Sequence, residues 1–150
     1  MSHISTYATE IQLNPVAGSS EAATDPSYIL FREAMEVVAE EYGGRVENHI
    51  TDYFGRQRHC TFGLITPQFE AGLGVDVDHA TGEVSFVYDA YGVSEDLIDT
   101  LKSRILQSFT SMAVGRALMD MNYDVEYEEG SMDPNRPAYP KRRVTVRGVL

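Results

Sequence analysis

The chain has 150 residues, of which 43% are hydrophobic, and its formal net charge is −11. This length suits one domain with a sizeable core, and the apolar content is too high for a globally disordered chain. No apolar run is long enough for a membrane span, the start is not expected to be a secretory signal, and the single Cys60 cannot form an internal disulfide.

The charge is divided unevenly along the sequence. Residues 1–133 contain all 23 acids and only seven of the 12 Lys and Arg residues, so they carry −16, whereas the last fifteen residues carry +5. An acidic body repels phosphate backbones and acidic lipids, so nucleic acids and membrane surfaces are unfavourable partners. We therefore expect a soluble protein of a reducing compartment that binds other proteins or itself.

The amino-terminal part predicts a strand followed by a helix. Residues 4–13 alternate and are rich in β-forming side chains, and the stretch from Asn14 to Asp25 has the composition of a loop. Asp25 followed by Pro26 is typical of a helix start, and Gly43 with Gly44 is typical of a helix end.

The middle of the chain predicts four short strands. They cover residues 46–53, 60–64, 73–77 and 84–88, with a turn over residues 54–59. Cys60 alternates with Phe62 and Leu64, which predicts a buried thiol in the core.

The last third predicts a long helix and two more strands. Ser94 is suited to cap a helix of about 27 residues that ends near Met121. Residues 123–128 alternate between apolar and acidic side chains, and a Pro-rich link over residues 130–141 leads to a short final strand. We expect this basic strand to pair with residues 123–129 and so to cover a sheet edge.

These elements predict one α+β domain over residues 1–150. Its antiparallel sheet would have five or six strands in the order β-α-β-β-β-β-α-β-β. Both helices would cover one face of the sheet, as in the layering of ferredoxin-like folds.

The stretch "GVDVDHATGEV" resembles the beginning of a calcium loop, since Asp76 and Asp78 face the same side of a strand. A calcium loop of the EF-hand kind would also need an acid or amide at position 80, glycine at 81 and glutamate at 87. This chain has Ala80, Thr81 and Val87 there. The pattern favours a hairpin turn in which Gly82 takes the left-handed conformation.

The candidate site residues are basic. Arg56, Arg58 and His59 form the one basic cluster of the body, and Arg142 and Arg143 belong to the basic tail. They are candidate contacts for a phosphate or an acidic partner, but for the first cluster the sequence favours a solvated hairpin tip that offsets neighbouring acids. No nucleophile, phosphate-loop, dinucleotide or paired-cysteine motif occurs, so the sequence assigns no catalytic, cofactor or metal residue.

Four stretches resemble an uncharacterised family of plastids and cyanobacteria, known as hypothetical chloroplast reading frame thirty-five, which also has bacterial members. They are "MSHISTYATEI", "GLGVDVDHATGEVSFVYDAYGV", "ILQSFTSMAVGRALMDMNYDVEYEE" and "RRVTVRGVL", and they occur in the family's order. The chain departs from the family in an inserted loop over residues 14–25, in Ala90 and in Asn122. The resemblance implies a small soluble α+β domain without an established reaction, and it hints at an accessory role beside AAA-type ATPases.

Three functions remain open from the sequence. The first is a non-catalytic accessory or binding protein in the cytoplasm or plastid stroma that acts through a macromolecular partner. The second is a structural subunit of a larger assembly, which could be a virion. The third is a small-ligand binder or an enzyme whose site forms only in three dimensions.

Overall fold

The computed structural model describes residues 4–121 in full and residues 123–129 and 142–148 as backbone. In chain order the elements are β1 (Ile4–Gln12), α1 (Ser19–Ala22), α2 (Pro26–Glu41), β2 (Arg45–Thr51), β3 (Gln57–Thr66), β4 (Phe69–Val77), β5 (Glu83–Asp89), α3 (Glu95–Asp120), β6 (Tyr123–Glu129) and β7 (Arg142–Gly148).

Strands β1 to β5 form one antiparallel sheet in the order β1-β5-β4-β3-β2. The buried residues of α2 and α3 share one core cluster with alternate residues of the sheet, so both helices cover the same face. The predicted α+β class, five-stranded antiparallel sheet and helix layer are thus confirmed. The additional α1 is a single turn that buries Ala22 within the stretch expected to be a loop.

Both long helices begin where their capping residues predict. The Asp25 carboxylate accepts hydrogen bonds from the main-chain N–H groups of Ser27 and Tyr28 at the start of α2. The Ser94 hydroxyl accepts one from Leu97 N at the start of α3.

The apolar stripe of α3 is buried only along its first half. Ile98, Leu101 and Ile105 are almost inaccessible, whereas Met119 and Met121 are largely exposed. At 1.5 Å per residue the 26 residues of α3 extend about 39 Å, which is longer than any strand of the sheet. The helix is therefore too long for the strands of the main sheet to cover its whole length.

The end of the β2–β3 hairpin folds over the sheet face opposite the helices. Ile50 and Cys60 form a second buried cluster with Val87, whose neighbours in β5 face the helices. A Cβ atom at Gly74 would lie 2.8 Å from Val87 Cγ1 and 3.3 Å from Ile50 Cγ2, so glycine makes room for this contact.

The fold-over corrects the sequence reading of Cys60. Its burial is confirmed, since the residue is only 2% exposed. The prediction that Cys60 and Phe62 lie on the same face of the strand is wrong, because Phe62 belongs to the core beneath the helices and Cys60 to the second cluster. The β2–β3 register is irregular between Glu47 and His49, which changes the face on which the following residues lie.

A buried ion pair joins the two long helices. Arg104 of α3 donates from Nη2 to Glu41 Oε1 at the end of α2, and the two side chains are 5% and 14% exposed. One turn further along α3, the Ser108 hydroxyl donates to Ala34 O over 3.0 Å. Arg104 Nε and Nη1 and Glu41 Oε2 are buried without a hydrogen-bond partner among the described residues.

Strands β6 and β7 pair antiparallel, as expected, but form a two-stranded sheet separate from the main one. Their register places Glu128 opposite Arg143 and Asp124 opposite Arg147. The Pro-rich link over residues 130–141 lies outside the described residues.

Candidate partner-binding site

Strand β1 is an open edge of the sheet. Residues Ile4 to Ala8 pair one to one with Asp89 to Ser85 of β5. On its other side, β1 has no strand neighbour within the part of the chain that the structure describes. Alternate N–H and C=O groups of an edge strand point away from the sheet, so this side offers a row of main-chain hydrogen-bonding groups.

The amino-terminal half of this edge lacks the features that usually protect edge strands. Proline, lysine, bulges and shortness are the common protections, and residues Ile4 to Thr9 contain no proline and no charge. The register does shift between Ala8 and Gln12, where the Thr9 hydroxyl donates to Val84 O over 2.7 Å and accepts from Ile11 N over 3.1 Å. The irregularity therefore leaves Ile4 to Ala8 as the accessible run.

A groove runs between β1 and α3. It encloses about 680 Å³ and is lined by Tyr7, Ala8, Thr9, Glu10, Ile11, Phe86, Asp99, Lys102, Ser103, Leu106 and Thr110. The α3 wall from Asp99 to Thr110 is roughly 17 Å long at 1.5 Å per residue, which matches about five residues of extended chain. The groove thus has the length of a short added strand.

A lysine packed on two tyrosines forms the wall next to the open edge. The Lys102 ammonium lies 3.9 Å from the ring centre of Tyr7 and 4.8 Å from that of Tyr88, and these two rings stack at 5.4 Å. The Lys102 side chain is 16% exposed and its Nζ lies 4.0 Å from Asp99 Oδ1. Burial, followed by the hydrogen bond with Tyr7, raises the pKa of Tyr88. The contacts hold Tyr7 in place while its ring stays about half exposed.

Exposed carboxylates dominate the charge around the groove. Glu10 lies on β1, Glu95 and Asp96 lie in the first turn of α3, and Asp99 follows one turn later. Lys102 is the single cation among the lining residues, and its charge is already engaged with the tyrosine rings. A basic partner would therefore be attracted to this edge.

Each of the three basic residues that the sequence grouped at a hairpin tip makes a different contact. Arg56 lies in the β2–β3 turn and pairs with Asp52 over 2.7 Å. Arg58 lies on β3 and pairs with Asp76 over 2.9 Å. His59, the neighbour of Arg58 on β3, lines a cavity beside α2. The assignment of these three residues to a partner contact stays a prediction. Arg142 and Arg143 lie on β7, of which only the backbone is described.

The cavity beside His59 encloses about 480 Å³ between α2 and strands β3 and β4, and Tyr28, Cys60 and His79 also line it. Burial raises the pKa of Tyr28, and nearby Asp25 and Asp78 add to this effect. Burial, followed by the Asp76 charge, raises the pKa of Cys60 to about 11. Both groups therefore stay protonated at neutral pH, and neither is activated as a nucleophile or base.

The stretch with two aspartates is a turn. Asp78 N donates to Glu83 O, the Asp78 carboxylate accepts from Ala80 N, and Gly82 has a φ of 79°. Asp76 is engaged by Arg58. Among residues 4–121, no three His, Cys, Asp or Glu side chains converge in a way that could hold a metal ion.

None of the helices in the described part of the chain is long and apolar enough to cross a membrane. Comparisons with protein-family models, with curated proteins and with solved structures gave no match. The resemblance to the plastid and cyanobacterial family, and the ATPase partner it suggests, therefore stay predictions.

Sequence reasoning identified β1 as a strand but missed the site beside it. Alternation predicts that a segment is a strand, whereas its place at the edge depends on which distant strands pair. Two signals were present: the run from Ile4 to Thr9 has no charge, and Lys102 is one of only two lysines in the chain. Neither signal indicates that Lys102 packs on Tyr7.

Proposed function

We propose that the protein is a non-catalytic binding protein that holds an extended, basic segment of a partner polypeptide along β1. The observation that carries this proposal is the open run from Ile4 to Ala8 beside a groove of strand length. Partners that add a strand to an exposed edge gain affinity from main-chain hydrogen bonds and specificity from side-chain contacts.

The expected affinity follows from the length of the edge. A segment paired with five residues would form about five main-chain hydrogen bonds, each contributing ~1 kcal/mol net, which alone corresponds to a dissociation constant of order 0.1 mM. Contacts with Tyr7 and Leu106 and attraction to Glu10 and Asp99 would strengthen this to roughly 10 μM.

The charge of the groove selects the partner's chemistry. Because Glu10 and Asp99 are exposed and Lys102 is engaged, basic side chains at alternate positions of the segment would meet carboxylates. A free, buried Cys60 thiol fits a protein that works in a reducing compartment such as the cytoplasm.

The binding test uses an alternating lysine–valine octapeptide with a fluorescent label, followed by anisotropy. The matched control is the same peptide with N-methyl groups on alternate amides, which keeps the charge but removes the donors on one edge. We expect the unmodified peptide to bind at least tenfold more tightly. Equal binding would show that only general charge attraction acts, and would overturn the strand-addition proposal.

Two protein variants separate the groove from the rest of the acidic surface. Asp99→Asn should weaken peptide binding about threefold, because it removes an exposed carboxylate of the groove. Asp120→Asn changes the same charge on the same helix, far from the groove, and should leave the affinity unchanged. Equal effects of the two variants would contradict the assignment of the site to the groove.

Self-association is the competing occupant of this edge, because an uncharged run can pair with its own copy despite a net charge of −11. Sedimentation of the wild-type protein distinguishes self-association from binding of a partner segment. The concentration range is 50–500 μM, which is roughly the range in which weak edge pairing populates a dimer. A monomer supports the peptide partner. A dimer that Thr6→Lys dissociates would favour the structural subunit instead.

A further inference from the structure

Three exposed aromatic side chains gather at the end of the folded-over hairpin. Tyr53, Phe54 and Tyr91 are 55%, 63% and 47% exposed. Tyr53 and Phe54 lie in the β2–β3 turn, and Tyr91 lies in the connection between β5 and α3. Segments far apart in the sequence therefore supply a single aromatic surface.

Two of these rings form a corner. The rings of Tyr53 and Tyr91 meet edge to face, with their centres 4.3 Å apart and their planes at 72°. The corner borders a cavity of about 390 Å³, which is also lined by the carboxylate residues Asp52, Glu70 and Asp89. Aromatic walls and carboxylates thus converge on the same space.

Main-chain hydrogen bonds fix the corner in place. The buried Asp89 carboxylate accepts from Tyr53 N over 2.8 Å and from Tyr91 N over 3.0 Å, which joins the two segments. The Asp52 carboxylate accepts from Phe54 N and Arg56 N over 2.9 Å each. A site whose walls are held before the ligand arrives loses less entropy on binding.

The charge of the cavity favours a cation. Arg56 offsets the charge of Asp52, but Glu70 has no hydrogen-bond or ion-pair partner among residues 4–121. The same surface already attracts a cation, since the Arg56 guanidinium lies 5.6 Å from the ring centre of Phe54. Lys102 on Tyr7 and Tyr88 is another cation–aromatic contact in this molecule, and there the rings are those of tyrosines.

We propose that the corner of Tyr53 and Tyr91 binds a methylated ammonium group. Such a cation is weakly hydrated and presents C–H surface, so it gains more from aromatic faces than a small metal ion does. Small metal ions instead need several converging oxygen or nitrogen ligands. This ammonium site is independent of the β1 groove. Binding at the groove is tested separately, with the lysine–valine peptide.

The direct test is a proton-NMR titration with choline chloride and with 3,3-dimethylbutan-1-ol, the neutral molecule of the same shape. Choline should bind in the millimolar range, its methyl protons should move upfield because they lie over ring faces, and the amide signals of Tyr53 and Tyr91 should shift. The neutral molecule should bind at least fivefold more weakly. Equal binding of choline and the neutral alcohol would overturn the proposal. So would the absence of any shift in these signals at 50 mM choline, which is roughly the weakest affinity that such a site would have.

Variants locate the binding. Tyr91→Leu should weaken choline binding at least fivefold, whereas Tyr91→Phe should retain it because the ring face remains. Glu70→Gln should weaken it two- to threefold through the lost charge. Met119→Ala removes an exposed apolar side chain near the far end of α3, outside both proposed sites, and should have no effect. A loss with Met119→Ala equal to that with Tyr91→Leu would contradict the assigned location.

Two sources could supply this group: a free quaternary ammonium compound or a methylated lysine side chain. A short peptide containing trimethyllysine, compared with its unmethylated form and with choline, distinguishes them. Tighter binding of the trimethyllysine peptide than of choline assigns the site to a modified polypeptide. Equal or weaker binding of the peptide assigns it to a free ammonium compound.

Discussion

The buried ion pair between Arg104 and Glu41 offers a quantitative test of the helix layer. Removing one partner of a buried pair leaves a charge in a poorly solvated site, which typically costs about 3–5 kcal/mol. Arg104→Met should lower the free energy of unfolding by about 3 kcal/mol, because it strands the 14% exposed Glu41. Glu41→Leu should cost about 4 kcal/mol, because Arg104 is more deeply buried.

The double variant Glu41→Leu/Arg104→Met should behave differently. Three polar atoms of the pair already lack hydrogen-bond partners among the residues that the structure describes, and Glu41 lies unfavourably at the carboxyl end of α2. Replacing both residues by apolar ones removes these costs, so the double variant should lie within about 1 kcal/mol of the wild type or above it.

Urea unfolding followed by circular dichroism gives the free energies and the coupling energy of the cycle. Glu40→Leu, an exposed change one residue earlier on the same helix, is the control and should shift stability by less than about 0.5 kcal/mol. Single variants that each cost under ~1 kcal/mol, or a double variant whose cost is the sum of the two, would refute the burial argument.

Further predictions concern the hairpin cluster and the cap of α2. Cys60 should react with a thiol reagent at pH 8 at least ~100-fold more slowly in the native than in the denatured protein, because burial raises its pKa to about 11; equal rates would contradict the burial. Ile50→Ala should cost about 3 kcal/mol in urea unfolding and accelerate Cys60 labelling, whereas the exposed Ile29→Ala should do neither. Asp25→Ala should lower stability by about 1 kcal/mol at pH 7. Burial alone would raise the pKa of Asp25, but hydrogen bonds from Ser27, Asn14 and main-chain groups outweigh it and lower that pKa. The stability that Asp25 contributes is therefore present above about pH 4 and is lost as acid protonates the folded carboxylate. A difference in unfolding free energy between variant and wild type that stayed unchanged at about pH 2 would contradict this role of Asp25.

The local features of the fold could be predicted from the sequence because they depend on neighbouring residues. Asp25 and Ser94 identify both helix starts, and Gly82 identifies the turn after β4, since capping and left-handed dihedrals act within a few residues. The layering of two helices on one sheet face follows from the apolar periodicities.

The remaining features depend on contacts between distant residues. The fold-over of the β2–β3 hairpin brings Ile50 against Val87, and the register irregularity near His49 places Cys60 on the unexpected face. Alternation carries no information about either event. The aromatic corner likewise depends on Asp89, which accepts a hydrogen bond from the amide of Tyr53, 36 residues earlier in the chain, and another from the amide of Tyr91.

The position of β1 at the sheet edge is the claim on which the proposed function depends. Amide hydrogen exchange of residues Ile4 to Ala8, resolved by NMR with and without the lysine–valine peptide, tests it most directly. In the free protein, amides that pair with β5 should exchange slowly and the alternate ones rapidly; the peptide, but not its N-methylated control, should slow the rapid set at least tenfold. Slow exchange of all these amides without a peptide in the monomer, or no change on adding it, would contradict the account.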